Sequence, residues 1–530
     1  MADTNEKRVV VVGAGVGGLA TAIRLAANGC QVTLIDRHSH AGGKMRTTDS
    51  VAGPVDRGPT VLTMRWVFDD LFQAAGEKLA SHVPLERDMI LARHFWRDGS
   101  TLDLHADPEA SADAVGAFAG RRAAKQFRKF SDEARALFET FRGPMMEAPE
   151  PNQAALTSAV LRRPGLVPSM APGLTLAAKL ARRFTDKRLQ QLFGRYATYV
   201  GGSPYRSPAL LSLIWHAEAE GIWRVAGGMG ALAKAMSDLF VKKGGTLNLG
   251  DGAARIESQG GQVVAVHTDA GLRLPAECVV FAGDPRALAK GRLGPAAAAA
   301  ATADQTEPRS LSAWVFAYAA EPSGPELAHH NVFFADDPKA EFGALEKGAR
   351  PEDGTLYVCA QDRGGASGPE GAERFEIILN GAPDETAQSR PRQSLEKEKA
   401  ACQTQVFARL KDFGLRFTPT PGTEALTAPW EFAADFPNSA GSLYGPSPHG
   451  TFAALKKPRA RTPVKGLYLA GGGVHPGAGV PMATLSGKHA AEAILTDLAS
   501  TSTSRPTAMP GGTSTGSGTT ANGLSRSLAS

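Results

Sequence analysis

The stretch RVVVVGAGVGGLATAIRLAANGCQVTLID, residues 8–36, decides the fold class of this chain. Its four consecutive valines predict a buried strand, the glycine-rich turn opens an Ala/Leu-rich helix, and QVTLID predicts a second strand. Two strands joined through a helix in this way lie parallel in one sheet. The N-terminal region is therefore predicted to be a Rossmann-like α/β unit.

The turn in this unit has the spacing Gly13-x-Gly15-x-x-Gly18, with Gly17 inside it. Gly13 permits the tight turn, Gly15 lets the backbone approach a pyrophosphate, and Gly18 lets the helix pack closely on the strand. The free N–H groups of the helix N-terminus favour phosphate. Asp36 ends the second strand, where a carboxylate can accept the hydroxyl groups of an adenosine ribose and would repel a 2′-phosphate. These residues predict a dinucleotide other than NADP.

A second glycine-rich turn, GLYLAGGGVHPGAGVPM, occupies residues 466–482. It reads as a strand, a turn and a helix start, and proline suits the first turn of a helix. The helix N-terminus would direct its dipole at the N1/C2 side of a flavin, where negative charge gathers on reduction. The residues predicted to contact the cofactor here are Gly471, Gly472, Gly479, Val480, Pro481 and Met482. One loop for each end of an extended molecule predicts FAD.

Two short segments between these loops support the same cofactor. HSHAGGKMRT, residues 38–47, follows the ribose acid with a glycine pair and a cation, and GPVDRGPTVL, residues 53–62, contains a rigid turn that could abut a flavin ring. Ordinary turn chemistry explains both segments equally well when each is taken alone. The predicted cofactor residues in them are Gly42, Gly43, Lys44, Asp56, Gly58 and Pro59.

The pattern along the chain alternates between two kinds of structure. We expect a Rossmann-like FAD-binding domain into which an α+β substrate domain is inserted. The FAD-binding parts are predicted at 1–66, 226–309 and 461–498, and the substrate parts at 67–225, where amphipathic helices dominate, and at 310–460. Residues 499–530 are rich in Ser, Thr, Gly and Pro and are predicted to be disordered.

Composition restricts the compartment and the partners. A formal net charge of +5 permits weak attraction to anionic membranes and gives no indication of nucleic-acid binding. No stretch suits a signal peptide or a spanning helix, so a cytoplasmic location is expected. The cysteines are widely spaced and predict neither a disulfide framework nor a metal site. They are Cys30, Cys278, Cys359 and Cys402.

These motifs resemble the bacterial-type phytoene desaturases and related carotenoid desaturases. The resemblance rests on residues 466–480, on DRGPTVL at 56–62, on YVGGSPYRSPALLSLI at 199–214 and on GIWRVAGGMGALAKAM at 221–236. Within that family the chain is most similar to the 1-hydroxycarotenoid 3,4-desaturases, or methoxyneurosporene dehydrogenases. Val474, Lys44 and Asp36 depart from the usual family residues, which are a small Thr or Ala, Arg and Glu.

The resemblance implies the amine-oxidase-like flavoprotein architecture and an FAD-dependent enzyme that dehydrogenates C3–C4 of an acyclic C40 carotenoid such as 1-hydroxyneurosporene. It implies a peripheral position on the inner membrane, with oxygen or a quinone as the electron acceptor. The alternatives are another carotenoid desaturase of the phytoene type, a carotenoid isomerase and a flavin amine oxidase. An amine oxidase would carry an aromatic cage around its flavin.

Hydride transfer from an allylic carbon to FAD asks little of acid–base residues, and no metal site is expected. His475 beside the second loop, His216 and Arg224 are the candidates for a base or an orienting group, although each could equally be structural. The segment 154–184 combines apolar residues with four Arg and one Lys and has no acid. That composition is typical of an interfacial amphipathic segment, and also of a basic surface helix.

Overall fold

A five-stranded parallel sheet brings together three segments that are far apart in the sequence. A computed structural model describes residues 7–365 and 369–503. The strands of the sheet lie in the spatial order Leu467–Leu469, Cys278–Phe281, Arg8–Val12, Gln31–Asp36 and Thr246–Leu249. Every neighbouring pair is parallel. The predicted Rossmann-like α/β arrangement is confirmed.

Different layers cover the two faces of this sheet. Val9 and Val11 belong to a core shared with helices, whereas Val10 and Val12 belong to a core shared with a small antiparallel sheet. Successive strand residues point to opposite faces, so the four-valine run fills both cores at once. The helices are Val16–Ala27, Met229–Lys242 and Val480–Thr503, and the small sheet consists of Ala253–Gln259, Gln262–Thr268 and Arg273–Pro275.

A second, eight-stranded sheet is mostly antiparallel. Its strands lie in the order Arg416–Thr418, Ser312–Ser323, Glu373–Gly381, Leu356–Ala360, His330–Phe333, Ile90–Phe95 and Thr101–His105, and Leu426–Thr427 pairs with Ser312–Ser323. Only the pairing of His330–Phe333 with Ile90–Phe95 is parallel. Two short strand pairs, Thr47–Thr48 with Val55–Asp56 and Leu85–Arg87 with Trp223–Val225, complete the described strands.

The strand Ile90–Phe95 lies in a region whose pattern predicts helices. Leu91 faces one core of this sheet and Phe95 another, so the strand is buried on both sides. A strand covered on both faces lacks the apolar–polar alternation that marks a half-buried strand. The predicted domain boundaries remain predictions, and the sheet is built from segments on both sides of them.

Helices surround the second sheet. The α-helices of this part and of the connections are Trp66–Ala74, Pro108–Ala119, Arg121–Phe141, Gln153–Arg162, Val167–Met170, Leu176–Arg183, Lys187–Gly194, Ile214–Ala219, Arg286–Ala289, Pro295–Ala298, Ala303–Thr306, Pro338–Glu346, Arg392–Asp412, Pro429–Asp435 and Ala453–Lys456. Among the described residues, no helix combines the length and the apolar character needed to cross a membrane.

The final helix reaches Thr503 and so extends into the segment 499–530 that the sequence predicts to be disordered. The rest of that predicted tail, residues 504–530, lies outside the described residues.

The first and last helices cross at a contact between two glycines. A Cβ atom added to Gly487 would lie 2.4 Å from the carbonyl oxygen of Gly17 and 3.0 Å from the backbone nitrogen of Thr21. The Thr21 hydroxyl donates to the carbonyl oxygens of both glycines. This crossing fixes the C-terminal helix against the N-terminal unit.

We expect Gly487→Ala to lower the free energy of unfolding by about 1–3 kcal/mol, because the added methyl group meets backbone that cannot move aside. Gly343→Ala is the matched control. It also lies inside a helix, Pro338–Glu346, but its Cβ would have no neighbour within 4 Å. That substitution should stabilise the protein by about 0.4–1 kcal/mol. Denaturant unfolding measures both, and equal effects of the two substitutions would contradict the tight crossing.

Candidate active site

One large cavity lies between the two sheets. Its volume is about 1880 Å³, and its wall includes Gly13 and Gly15 from the first glycine loop and Val332 and Ile378 from the eight-stranded sheet. Pockets for a single small molecule measure roughly 300–1,000 Å³. The cavity is therefore large enough for two ligands placed next to each other.

The first glycine loop forms one end of this cavity. Gly13 has a φ of +107°, which the tight turn after the first strand requires, and its N–H donates to the Ile35 carbonyl of the neighbouring strand at 2.8 Å. A Cβ atom on Gly15 would meet only the Cα of Gly43, at 3.9 Å. Gly15 is also the N-cap of the helix Val16–Ala27, whose first N–H groups have no partner within the helix. The loop thus opens a helix N-terminus into the cavity.

Asp36 lies beside this loop at the end of the second strand. One carboxylate oxygen accepts from the Ala14 N–H at 2.7 Å and the other accepts from the His38 N–H at 2.8 Å. Both bonds hold the carboxylate at the cavity wall. An ionised carboxylate has about four acceptor positions, so Asp36 can still accept two hydroxyl groups.

The glycine pair packs directly on the first loop. Gly42 donates its N–H to the Ala14 carbonyl at 2.8 Å, and a Cβ on Gly43 would lie 2.9 Å from the Cα of Gly15. The neighbouring Lys44 ammonium donates to the Leu443 carbonyl at 2.6 Å. Burial lowers the pKa of Lys44 to about 8, with the nearby Arg309 acting in the same direction and Asp284 opposing it.

The second glycine loop touches the first. A Cβ on Gly17 would lie 2.7 Å from the backbone nitrogen of Gly471, and that nitrogen donates to the buried Ser486 hydroxyl at 2.7 Å. Gly479 has a φ of +103°, and a Cβ there would have no neighbour within 4 Å. The helix Val480–Thr503 begins immediately after it. Two helix N-termini therefore border one cavity.

Most of the predicted cofactor residues lie on the wall of this cavity. They are Gly13, Gly15, Gly17, Asp36, Gly42, Gly43, Lys44, Gly58, Pro59, Gly471, Gly472, Gly479, Val480, Pro481 and Met482. The structure thus brings the four predicted motifs to one place.

Gly18 and Asp56 lie behind the wall. A Cβ on Gly18 would come 1.9 Å from the Gly13 carbonyl oxygen, so this glycine is required by the turn itself. The Asp56 carboxylate accepts from the N–H groups of Met229 and Gly230 at 2.6 and 3.0 Å and thereby caps the helix Met229–Lys242. Burial raises the pKa of Asp56. Its contacts are those of a helix cap.

The three candidate catalytic residues are also off the cavity wall. The His475 ring donates from Nε2 to the Ala148 carbonyl at 3.0 Å and stacks on His489. His216 packs edge-on against Phe138 and lies 3.7 Å from Glu220. Burial lowers the pKa of both His475 and His216.

Arg224 pairs with two carboxylates, Asp88 at 2.7 Å and Glu86 at 2.8 Å, and donates to the Arg363 carbonyl. A catalytic role for the three candidates remains a prediction, and their present contacts are structural.

Two side chains on the cavity wall belong to no recognisable sequence motif. The Lys457 side chain lies against Gly477 of the second loop, and burial, aided by Arg309, lowers the pKa of Lys457 to about 8. Tyr357 comes from the eight-stranded sheet and shares a hydrogen bond of 2.7 Å with the Thr60 hydroxyl. Thr60 follows the predicted Gly58–Pro59 turn, but nothing in the sequence indicates its partner.

Apolar side chains form another part of the cavity wall, which we call the apolar arm. They are Val61, Met64, Phe138, Phe141, Met145, Leu156, Met170, Leu210 and Ile214. Leu156 and Met170 belong to the segment 154–184 for which the sequence predicts an interfacial position. The cavity wall thus combines a part suited to phosphates with a part suited to a long hydrocarbon.

Comparisons with known proteins agree with this geometry. The model of the family described as flavin containing amine oxidoreductase matches residues 16–365 and 406–495. A hydroxyneurosporene desaturase of Cereibacter sphaeroides is 55% identical over 93% of this chain and 99% of its own length. The protein of the same name from Rhodobacter capsulatus is 48% identical over 93% of this chain and 98% of its own length.

Among solved structures, an oxidoreductase from Methanosarcina mazei is similar in fold. The TM-score is 0.57 at 16% identity, and the match covers 92% of this chain and all of that chain. At that identity the likeness concerns the fold alone, and it agrees with the expected flavoprotein architecture of a parallel sheet beside a mixed sheet. The chain belongs to the flavin-containing amine oxidoreductase family, and within it the chain groups with the hydroxyneurosporene desaturases.

Proposed function

We propose that this protein is an FAD-dependent desaturase that dehydrogenates C3–C4 of an acyclic 1-hydroxycarotenoid of the hydroxyneurosporene type. The observation that carries the proposal is one cavity whose wall includes both glycine loops and the apolar arm. The 55% identity to a hydroxyneurosporene desaturase supports the substrate class.

The residues of the wall fit FAD. The Cβ positions of Gly15 and Gly479 are open, so a ligand can approach the backbone at both loops. Helix N-termini and the Lys44 and Lys457 ammonium groups favour anionic atoms, and Asp36 favours ribose hydroxyls. We infer that the first loop with Asp36 holds the adenosine diphosphate part and that the second loop holds the flavin part.

Desaturation removes one hydrogen as hydride and the neighbouring hydrogen as a proton. When bound, FAD supplies the two-electron acceptor for the hydride. The chain contributes alignment: the apolar arm holds the polyene and presents one C–C bond to the cofactor. The proton can leave to water or to a weak base, and oxygen or a quinone then takes the two electrons.

Three alternatives predict different observations. An amine oxidase would carry an aromatic cage around its flavin, and the second loop, residues 471–482, contributes no Phe, Trp or Tyr to one. A carotenoid isomerase would use the same cavity without net transfer of electrons. A phytoene-type desaturase would accept a hydrocarbon that has no hydroxyl group.

Turnover in liposomes tests the proposed function. FAD-loaded protein should convert 1-hydroxyneurosporene to a product that absorbs at longer wavelength, because the conjugated system grows, and it should leave phytoene unchanged. Without oxygen or quinone the flavin absorbance should bleach in proportion to product.

Conversion of phytoene would contradict the substrate assignment. Isomerisation without bleaching of the flavin would contradict desaturation.

We further propose that the protein lies on the cytoplasmic face of the inner membrane. The helix Gln153–Arg162 has no buried side chain, and Leu161 is 74% exposed. Val167 is also exposed, and the cations Arg162 and Arg163 lie between the two. Because Leu156 and Met170 of the same segment line the apolar arm, a polyene could pass from lipid into the cavity here.

Binding to vesicles that contain anionic lipid tests this position. We expect the double substitution Leu161→Ser, Val167→Ser to lower the bound fraction about tenfold, since each apolar side chain contributes roughly 1.5–3 kcal/mol when fully buried and less at an interface. Leu272→Ser is the control, because Leu272 is likewise exposed, on a distant loop beside the small antiparallel sheet. Equal vesicle binding by both variants would place the contact elsewhere.

A further inference from the structure

A cross-strand row of the eight-stranded sheet faces the cavity. Val332 pairs with Tyr357, Tyr357 pairs with Ile378, and Ile378 pairs with Val315. All four side chains line the cavity. Tyr357 therefore places one hydroxyl group on a wall that is otherwise apolar along this row.

Two neighbouring side chains hold the Tyr357 hydroxyl by hydrogen bonds. It lies 2.6 Å from Nδ1 of His330 and 2.7 Å from the Thr60 hydroxyl. His330 is buried, and its Nε2 lies 3.8 Å from an oxygen of the buried Asp88. In the tautomer with hydrogen on Nε2, Nδ1 accepts from the phenol. The phenol oxygen is then directed as an acceptor.

The position of Tyr357 relates it to the reacting end of the cavity. Its partner Thr60 directly follows Gly58–Pro59, and a Cβ on Gly58 would lie 2.0 Å from the Lys44 carbonyl oxygen. The Tyr357 hydroxyl is thus one hydrogen bond away from Thr60, which follows the turn that packs on Lys44 beside the glycine pair. In a 1-hydroxycarotenoid the hydroxyl group is on C1, two bonds from C3. A group that binds this hydroxyl must lie near the reacting carbon atoms.

We propose that Tyr357 accepts a hydrogen bond from the tertiary hydroxyl of the carotenoid and so makes the enzyme selective for a hydroxylated end group. The inference rests on the proposed function. A hydroxyl group in an apolar arm would otherwise lose its hydrogen bonds to water, which is unfavourable. Tyr357 with its Thr60 and His330 partners offsets that loss at one place along the chain of the substrate.

The test compares 1-hydroxyneurosporene with neurosporene, which lacks the hydroxyl group, in liposomes. For Tyr357→Phe we expect kcat/KM on 1-hydroxyneurosporene to fall about tenfold, the effect of one hydrogen bond, and the rate on neurosporene to stay within about twofold. Thr60→Val should lower the same preference to a smaller degree. Dissociation constants for both carotenoids, from quenching of protein fluorescence, should change in the same ratio.

Tyr318→Phe is the matched control, because Tyr318 is in the same sheet, on the face away from the cavity, and packs in a separate core. It should leave the preference unchanged. An unchanged preference in Tyr357→Phe, in rate and in binding, would overturn the inference. The ratio of the dissociation constants for the two carotenoids tests the inference even if the wild-type protein converts neither of them. That lack of conversion would contradict the proposed function alone.

Discussion

The structure depends on a contact that only glycine permits. Gly17, in the first turn of the first helix, and Gly471, in the loop after the last strand of the parallel sheet, approach so closely that a Cβ on Gly17 would overlap backbone. Gly487 repeats the condition further along the same pair of helices. Because these helices meet near their N-termini, two sets of free N–H groups and two positive dipole ends border one cavity. Two loops that are far apart in the sequence therefore form one binding site.

Positively charged side chains lie on the cavity wall close to the two helix N-termini. The Lys44 and Lys457 ammonium groups lie at the glycine-lined end, and burial lowers the pKa of each to about 8. A buried cation without a strong partner is unfavourable, so anionic atoms placed beside these lysines would be stabilised. On the part of the wall formed by the eight-stranded sheet, Thr60 and His330 hold the Tyr357 hydroxyl by hydrogen bonds.

Local patterns were sufficient for the glycine loops and insufficient for long-range pairing. The strand–turn–helix signature at Gly13–Gly18 predicted its own conformation, because the sterics of a tight turn are local. Asp56 was predicted to contact the cofactor. Its carboxylate instead caps a helix that begins at Met229, and no local pattern indicates that partner. His475 likewise belongs to a sequence motif, but its side chain is buried beside His489. Tyr357 had no signal in the sequence, since its role depends on the register between strands.

The central claim is that both glycine loops hold one FAD molecule. Hydrogen exchange, measured on the cofactor-free protein before and after one equivalent of FAD, tests this claim most directly. The account predicts that the amide hydrogens of residues 13–19 and of residues 471–483 become protected together, because the two loops border one cavity. Protection of both segments should reach its maximum at the same ratio of FAD to protein. Protection of the first loop alone, with the second unchanged, would contradict the account.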